Sequence, residues 1–307
     1  MPRLNRRTLL STSLSAPFLG LAAASLPARA EAPALGASFA MHRRFTLGGF
    51  EVTALLAGTT PRDDPHGIFG TNVSAEEFAE VSAAHFLSTE RSQFFFTPVV
   101  VNTGAELILF DTGLNPNGIT GALTAAGYSP DQVDVVVITH MHGDHIGGLS
   151  DGSTPTFPNA RYVTGRAEFD HWDMSGNDGF ESKVRPLADN MTFLEPDQDV
   201  VTGISAVAAF GHTPGHMGYH IESDGARLML FADLANHPVW SLAHPDWEVR
   251  FDMDKAAAAA SRRRVLDMIA TDRIPAVGYH MPFPALGFVE AVGDGFRWVP
   301  EQGQFIG

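Results

Sequence analysis

Short runs of β-branched and apolar residues alternate with segments of helical character from Phe45 onward. Residues 50–56, 97–101 and 106–111 read as strands, the last closing on Asp111-Thr112-Gly113. Ser74-Ala75-Glu76-Glu77 has the form of a capping box and predicts a helix over 75–86. A second helix is predicted over 119–126, stopped by Gly127. Residues 133–138, apolar apart from Asp134, form a run of strand length, the pattern of a strand buried on both faces.

The second half repeats the style, with strands predicted over 205–210, 218–221, 227–231, 276–279 and 296–299. Between them an alanine-rich helix is predicted over 255–270, with Val265, Leu266 and Ile269 towards the core. No low-complexity linker or short-period repeat interrupts the pattern. Two halves of strands followed by helices predict an α/β protein of sheets packed together with helices outside.

Composition narrows the chemistry. The chain of 307 residues is 44% apolar and has no cysteine, which removes disulfides, thiolate ligands and cysteine nucleophiles together. Its net charge is −15. The first thirty residues hold Arg3, Arg6, Arg7 and Arg29 and no acid, so the rest carries −19. Such a body repels phosphate backbones and anionic lipid, which argues against nucleic acid as a partner.

The N-terminus reads as an address. Asn5-Arg6-Arg7-Thr8-Leu9-Leu10 opens a mildly apolar stretch that closes on Ala28-Arg29-Ala30, small residues where a signal peptidase cuts. A paired arginine before such a stretch resembles a twin-arginine export signal. Ser11, Thr12, Ser13, Ser15, Pro17 and Gly20 interrupt it, which argues against a stable membrane anchor. The expectation is a signal peptide over 1–30, an exported, periplasmic or secreted protein starting near Glu31, and one domain over 31–307.

Thr139-His140-Met141-His142-Gly143-Asp144-His145-Ile146-Gly147-Gly148 follows directly on the 133–138 strand. Residues two apart in extended backbone face the same way, so His140 and His142 can converge on one ion. The following turn into a helix presents Asp144 and His145 to a second ion. Four ligand-type side chains in six residues at a strand end outweigh chance clustering, since imidazole and carboxylate are the usual zinc ligands. Three further strand ends offer partners: His212 in Phe210-Gly211-His212-Thr213-Pro214-Gly215-His216, Asp233 after Leu228-Met229-Leu230-Phe231-Ala232, and His280 after Val277-Gly278-Tyr279.

This ordered set resembles the metallo-β-lactamase superfamily, most closely its methyl parathion hydrolase-like and N-acyl-homoserine lactonase-like branches. Gly48-Gly49-Phe50-Glu51-Val52-Thr53-Ala54-Leu55, Asp111-Thr112-Gly113, Phe157-Pro158-Asn159-Ala160 and residues 280–288 read in the same style. The resemblance implies an αβ/βα four-layer sandwich of two mixed sheets with helices on the outer faces. It assigns His140, His142 and His212 to one divalent metal, and Asp144, His145 and His280 to a second. Asp233 would bridge them. Zinc is the default ion, with manganese, cobalt or iron also compatible with nitrogen and oxygen ligands.

True β-lactamases of the superfamily generally lack the bridging carboxylate, so the resemblance makes Asp233 point away from β-lactam hydrolysis and towards lactonase, phosphotriesterase or thioesterase relatives. Two metals about 3.5–4 Å apart can hold a bridging hydroxide at neutral pH and polarise the substrate oxygen. Asp144 or Asp233 would carry the proton to the leaving group, while Asp111 and His216 would orient ligands. Homoserine lactonases commonly place a tyrosine three residues after the bridging aspartate; here Asn236 stands there, an amide donor towards substrate. Trp172 and Phe180 match aromatics that line the site in parathion hydrolase-like relatives. Phe86, Phe94, Phe95, Phe96, Trp240, Met281, Phe283 and Phe288 are further candidates for an apolar pocket.

The expected partner is a small apolar ester, lactone or phosphotriester, with a homodimer compatible with the resemblance. Two other features bear on this expectation. Gly148-Leu149-Ser150-Asp151-Gly152 spells a nucleophile elbow, but no strand precedes its serine. A non-catalytic exported metal-binding module is the alternative to an enzyme, disfavoured because all seven ligands are kept.

Overall fold

The computed structural model describes residues 36–305; the expected signal peptide over 1–30 and the expected start near Glu31 lie outside them. β1 (His42–Leu47) and β2 (Phe50–Leu55) form a hairpin, and β3 (Gly58–Asp63) leads away from it. After α1 (Ala75–Ala84), whose Ser74 side chain accepts from the Glu77 N–H, β4 (Arg91–Phe96) pairs with β3 as a separate two-stranded ribbon. β5 (Val99–Asn102), β6 (Leu107–Phe110), α2 (Pro116–Ala125), β7 (Val135–Ile138) and α3 (Gly143–Ile146) follow. β8 (Arg161–Gly165), α4 (Arg166–Asp173), α5 (Asp178–Lys183) and β9 (Met191–Leu194) complete the first half.

The first sheet has the order β1-β2-β5-β6-β7-β8-β9, antiparallel from β1 to β6 and parallel from β6 to β9. The second is built from β10 (Asp199–Val201), β11 (Ile204–Ala208), β12 (Met217–Ser223) and β13 (Ala226–Ala232). The long helix α6 (Lys255–Asp272) then crosses over to β14 (Ala276–Gly278), β15 (Leu286–Val292) and β16 (Gly295–Pro300). Its strands lie in chain order, and the one parallel pair, β13 with β14, is the pair that α6 connects, as a parallel neighbour requires a crossover.

Alternation explains the layers. Val135 and Val137 of β7 join the core between the sheets, with Val99, Val101, Ile108 and Phe110 meeting Tyr219, Ile221 and Val277. Val136 and Ile138 face the other way and pack with Ile119, Ala122 and Leu123 of α2. Buried side chains of this size each contribute roughly 1.5–3 kcal/mol, so a strand buried on both faces fixes its register twice. α6 covers the second sheet through Val265, Leu266 and Ile269. The architecture is the four-layer αβ/βα sandwich of two mixed sheets with helices outside.

Most predicted elements are present with shifted ends. α2 begins at Pro116 because the Asn115 side chain accepts from the Gly118 N–H. The 133–138 run yields a strand only from Val135. Among the described residues no helix is long and apolar enough to cross a membrane.

Candidate metal centre

β7 ends at Ile138, and the chain stays extended through His142 (φ −67°, ψ 154°) before turning into α3. The turn is tight against its neighbours. A Cβ on Gly147 or Gly148 would lie 2.2 Å from the Leu114 carbonyl oxygen or 2.1 Å from that of Thr112, so only glycine fits. His212 sits in the loop between β11 and β12, Asp233 directly follows β13, and His280 follows β14. These strand ends bring all seven candidate ligands to one place.

His140, His142 and His212 form a tripod. His140 Nε2 lies 3.1 Å from His142 Nδ1, which lies 3.0 Å from His212 Nε2. Asp144, His145 and His280 form a second group, with His280 Nε2 3.3 Å from Asp144 Oδ2. Asp233 stands between them. Its Oδ2 is 3.3 Å from His212 Nε2 and 3.2 Å from His280 Nε2, while Oδ1 is 3.3 Å from His145 Nε2.

The outward hydrogen bonds decide what the rings present inward. His145 Nδ1 donates to Asp111 Oδ2 (2.8 Å), His212 Nδ1 to Asp252 Oδ1 (2.9 Å) and His280 Nδ1 to the Phe95 carbonyl (2.8 Å). The Thr139 hydroxyl donates to Asp111 Oδ2 and so accepts from His140 Nδ1 at 3.2 Å. Each of these four rings therefore donates outward through Nδ1 and aims its Nε2 inward. His145 Nε2 and Asp233 Oδ1 are buried and have no hydrogen-bond partner among the described residues. Convergent ring nitrogens and carboxylate oxygens, with these two left unpartnered, form the donor set of a cation site. The residues present fit two divalent ions.

Electrostatics divide the cluster. Burial, reinforced by His145, holds His140 well below the usual histidine range, and burial with His212 lowers His142 to about 3. Burial opposes charge on His212 and His280 too, but Asp233 with Asp252 or Asp144 outweighs it and holds both at about 9. Asp233 stays ionised against the same burial because His280 and His145 flank it.

Asp111 and His216 each hydrogen-bond a candidate ligand. Asp111 fixes both Thr139 and His145. His216 is held by its Nδ1 donating to the Ala209 carbonyl, and its Nε2 accepts the Asp233 backbone N–H at 3.1 Å. It therefore positions the backbone of Asp233.

Three positioning groups escaped the sequence reading. Glu168 of α4 is fully buried and accepts four hydrogen bonds. Oε1 takes the Met141 N–H (2.9 Å) and Trp172 Nε1 (2.7 Å); Oε2 takes the Thr213 hydroxyl (2.7 Å) and the Gly215 N–H (2.9 Å). Each oxygen thus serves one of the two loops that deliver the tripod. Asp252 links His212 to the buried Arg262. The Tyr279 hydroxyl donates to the Asp144 carbonyl at 2.6 Å, with its ring centroid 3.9 Å from that of His145. Glu168→Gln keeps one acceptor oxygen but turns an NH2 towards donors on one loop. The expected loss is about 2–3 kcal/mol, measured as the shift in urea unfolding of the metal-free protein; an unshifted midpoint contradicts the clamp.

The substrate side differs from expectation. The seven-ligand cluster opens into a cleft of ≈ 500 Å³ whose walls include Phe94, Phe96, Phe251, Leu114 and Arg62. Phe94 and Phe96 meet the His280 ring edge-on at 5.3 and 5.5 Å. Phe180, expected on the pocket, is fully buried in the cluster beneath the outer helices. Trp172 is buried with its N–H spent on Glu168 and its ring edge to His142 at 5.9 Å, and it stands behind the cleft. Asn236 does not face substrate, because its amide donates to Asp233 Oδ2 at 2.9 Å. Phe86 is 99% exposed away from the cleft, and Trp240 and Met281 are core residues. Phe95 is buried, and Phe283 and Phe288 are half-buried away from the cleft walls.

The sequence profile described as the metallo-beta-lactamase superfamily matches residues 97–275, more than half of the chain and all but one of the seven candidate ligands. The chain belongs to the metallo-beta-lactamase superfamily. Within that superfamily, an N-acyl homoserine lactonase from Bacillus sp is 26% identical over 156 residues, 50% of this chain and 58% of the relative. The match thus spans less than two thirds of that relative. The structure of AidC, a dizinc quorum-quenching lactonase in complex with a product, superposes with a TM-score of 0.78 at 26% identity, covering 85% of this chain and 97% of AidC. Hydrolase AbOPH of the beta lactamase superfamily has a TM-score of 0.81 at 23% identity, over 87% of this chain and 100% of AbOPH, and shows the shared fold.

Proposed function

We propose that this superfamily member is a hydrolase that binds two divalent cations, zinc by preference, and opens lactones or cleaves carboxylic esters as N-acyl homoserine lactonases do. The observation that carries this reading is the convergence of seven side chains, with Nδ1 of His142, Nε2 of the other four histidines and the carboxylate oxygens of Asp144 and Asp233 turned inward. His140, His142 and His212 would hold one cation, Asp144, His145 and His280 the other, and Asp233 both. When bound, the cations polarise a carbonyl oxygen and make water nucleophilic at neutral pH.

The chain's own residues do the rest. Asp111, Asp252 and the Phe95 carbonyl fix the ring tautomers before substrate arrives. Asn236 and the His216 ring hold Asp233 from two sides. Asp144 is the carboxylate open to the cleft, its side chain 25% exposed against 4% for Asp233. Asp144 therefore takes the proton of the attacking water and hands it to the leaving oxygen. Phe94, Phe96 and Phe251 give the acyl portion an apolar wall.

The test is a panel of N-acyl homoserine lactones, 4-nitrophenyl esters and a phosphotriester with zinc-loaded protein. Lactone or ester turnover should exceed phosphotriester turnover, vanish with a chelator and return with metal. Faster phosphotriester cleavage selects the organophosphate triesterase reading instead. Two bound metals with no turnover of any substrate would leave a non-catalytic metal-binding module.

A further inference from the structure

The ribbon of β3 and β4 overhangs the cleft, and its register decides which side chains face inward. Gly58 lies opposite Phe96, Thr60 opposite Phe94, and Arg62 opposite Ser92. Directly paired residues of antiparallel strands share a face, so Arg62 stands on the same face as the two phenylalanines that touch the His280 ring. Burial agrees as far as Thr60: Gly58 and Thr60 are half-buried and Thr59 between them is exposed, while Pro61, Arg62 and Asp63 at the end of the strand are all exposed. Arg62 itself lines the cleft. The step from the Thr60 pair to the Arg62 pair is two residues, about 7 Å along the ribbon, which sets its guanidinium towards the outer end.

Arg62 is left free of partners. Asp63, the adjacent carboxylate, projects from the opposite face and binds Arg91 Nε at 2.8 Å. Among the described residues Arg62 has no ion pair and no side-chain hydrogen bond, in a chain whose net charge is −15. The acids of the cleft, Asp144 and Asp233, belong to the ligand cluster at its floor. A lone guanidinium at the outer end of an apolar channel is a ready donor fork for a carboxylate.

We infer that Arg62 is a specificity-determining residue that selects anionic substrates: esters or lactones whose acyl chain ends in a carboxylate. The inference rests on the hydrolase reading above and names its substrate class. The ester carbonyl lies at the floor, the methylenes run along Phe94 and Phe96, and the terminal carboxylate meets the guanidinium. The spacing along the ribbon places that acid at the far end of the chain, away from the ester.

The test compares 4-nitrophenyl monoesters of straight-chain dicarboxylic acids with the same esters capped as neutral methyl esters. In the zinc-loaded protein kcat/KM should favour the anionic member by about tenfold, chiefly through KM, with an optimum chain length and a loss of preference at high salt. Arg62→Gln should bring the ratio near one, and Arg62→Lys should restore part of it. A ratio near one in the unsubstituted protein, or a ratio that Arg62→Gln leaves unchanged, overturns the assignment. Calorimetric binding of adipate against hexanoate separates this result from failure of the hydrolase reading. With no ester turned over, tighter adipate binding that Arg62→Gln abolishes still supports the selection of anions, and equal binding of the two overturns it.

Discussion

Asp233→Ala is expected to lower kcat/KM for every hydrolysed substrate by about a thousandfold or more and to reduce bound metal below two per chain. The Asp233 carboxylate reaches both groups of ligands, with oxygens 3.2–3.3 Å from His212, His280 and His145. Its removal also frees the Asn236 amide, which spends one donor on Asp233 Oδ2, and leaves a gap where imidazole lone pairs converge. Asp233→Asn retains the shape but turns an NH2 towards those nitrogens, so it should fare little better. Activity and metal content measured on the same preparation check the point; full metal with full turnover in Asp233→Ala would refute the bridging role.

Arg262→Met is expected to destabilise the protein by about 3–5 kcal/mol, the largest stability effect anticipated for a single side chain here. Arg262 is fully buried, and its guanidinium donates to Asp252 Oδ2 at 2.8 Å and to the carbonyls of Pro245 at 2.8 Å and Trp247 at 3.3 Å. Without it a buried carboxylate faces the interior uncompensated, and two carbonyls lose their donors. The effect reaches the site, because Asp252 Oδ1 holds His212 Nδ1. Adding Asp252→Leu to Arg262→Met should recover part of the lost stability without recovering metal affinity. Such a split between unfolding midpoint and chelator competition separates orientation of His212 from simple packing. Equal recovery of both would show that the pair serves the fold alone.

What was legible in the sequence was local. His140, His142, Asp144 and His145 lie within one extended-to-helix turn, and His212, Asp233 and His280 each terminate or follow an apolar strand, so short spacing carried their position. The β7 run declared its burial on both faces through uninterrupted valine and isoleucine. What was hidden depends on tertiary partners. Glu168 sits in a short polar helix, and its four donors come from two distant loops and one tryptophan. Asn236 looked free to meet substrate, but three residues after Asp233 its side chain folds back onto that carboxylate. Phe180 matches a pocket aromatic of parathion hydrolase-like relatives by position, but here the outer helical layer buries it.

Arg262 left a readable trace. Positions 258, 262, 265, 266 and 269 form the buried stripe of α6, and an arginine on that stripe demands a buried acid. Arg62 left none, because the ribbon pairs segments separated by α1 and only the register shows which face it shares.

Two cations are expected, one on either side of Asp233. Anomalous diffraction at the zinc edge from zinc-loaded crystals tests it most directly. The expected map has two peaks, one enclosed by His140, His142 and His212 and one by Asp144, His145 and His280, with the Asp233 carboxylate touching both. A single peak, or two peaks with Asp233 turned away from either, would contradict the account.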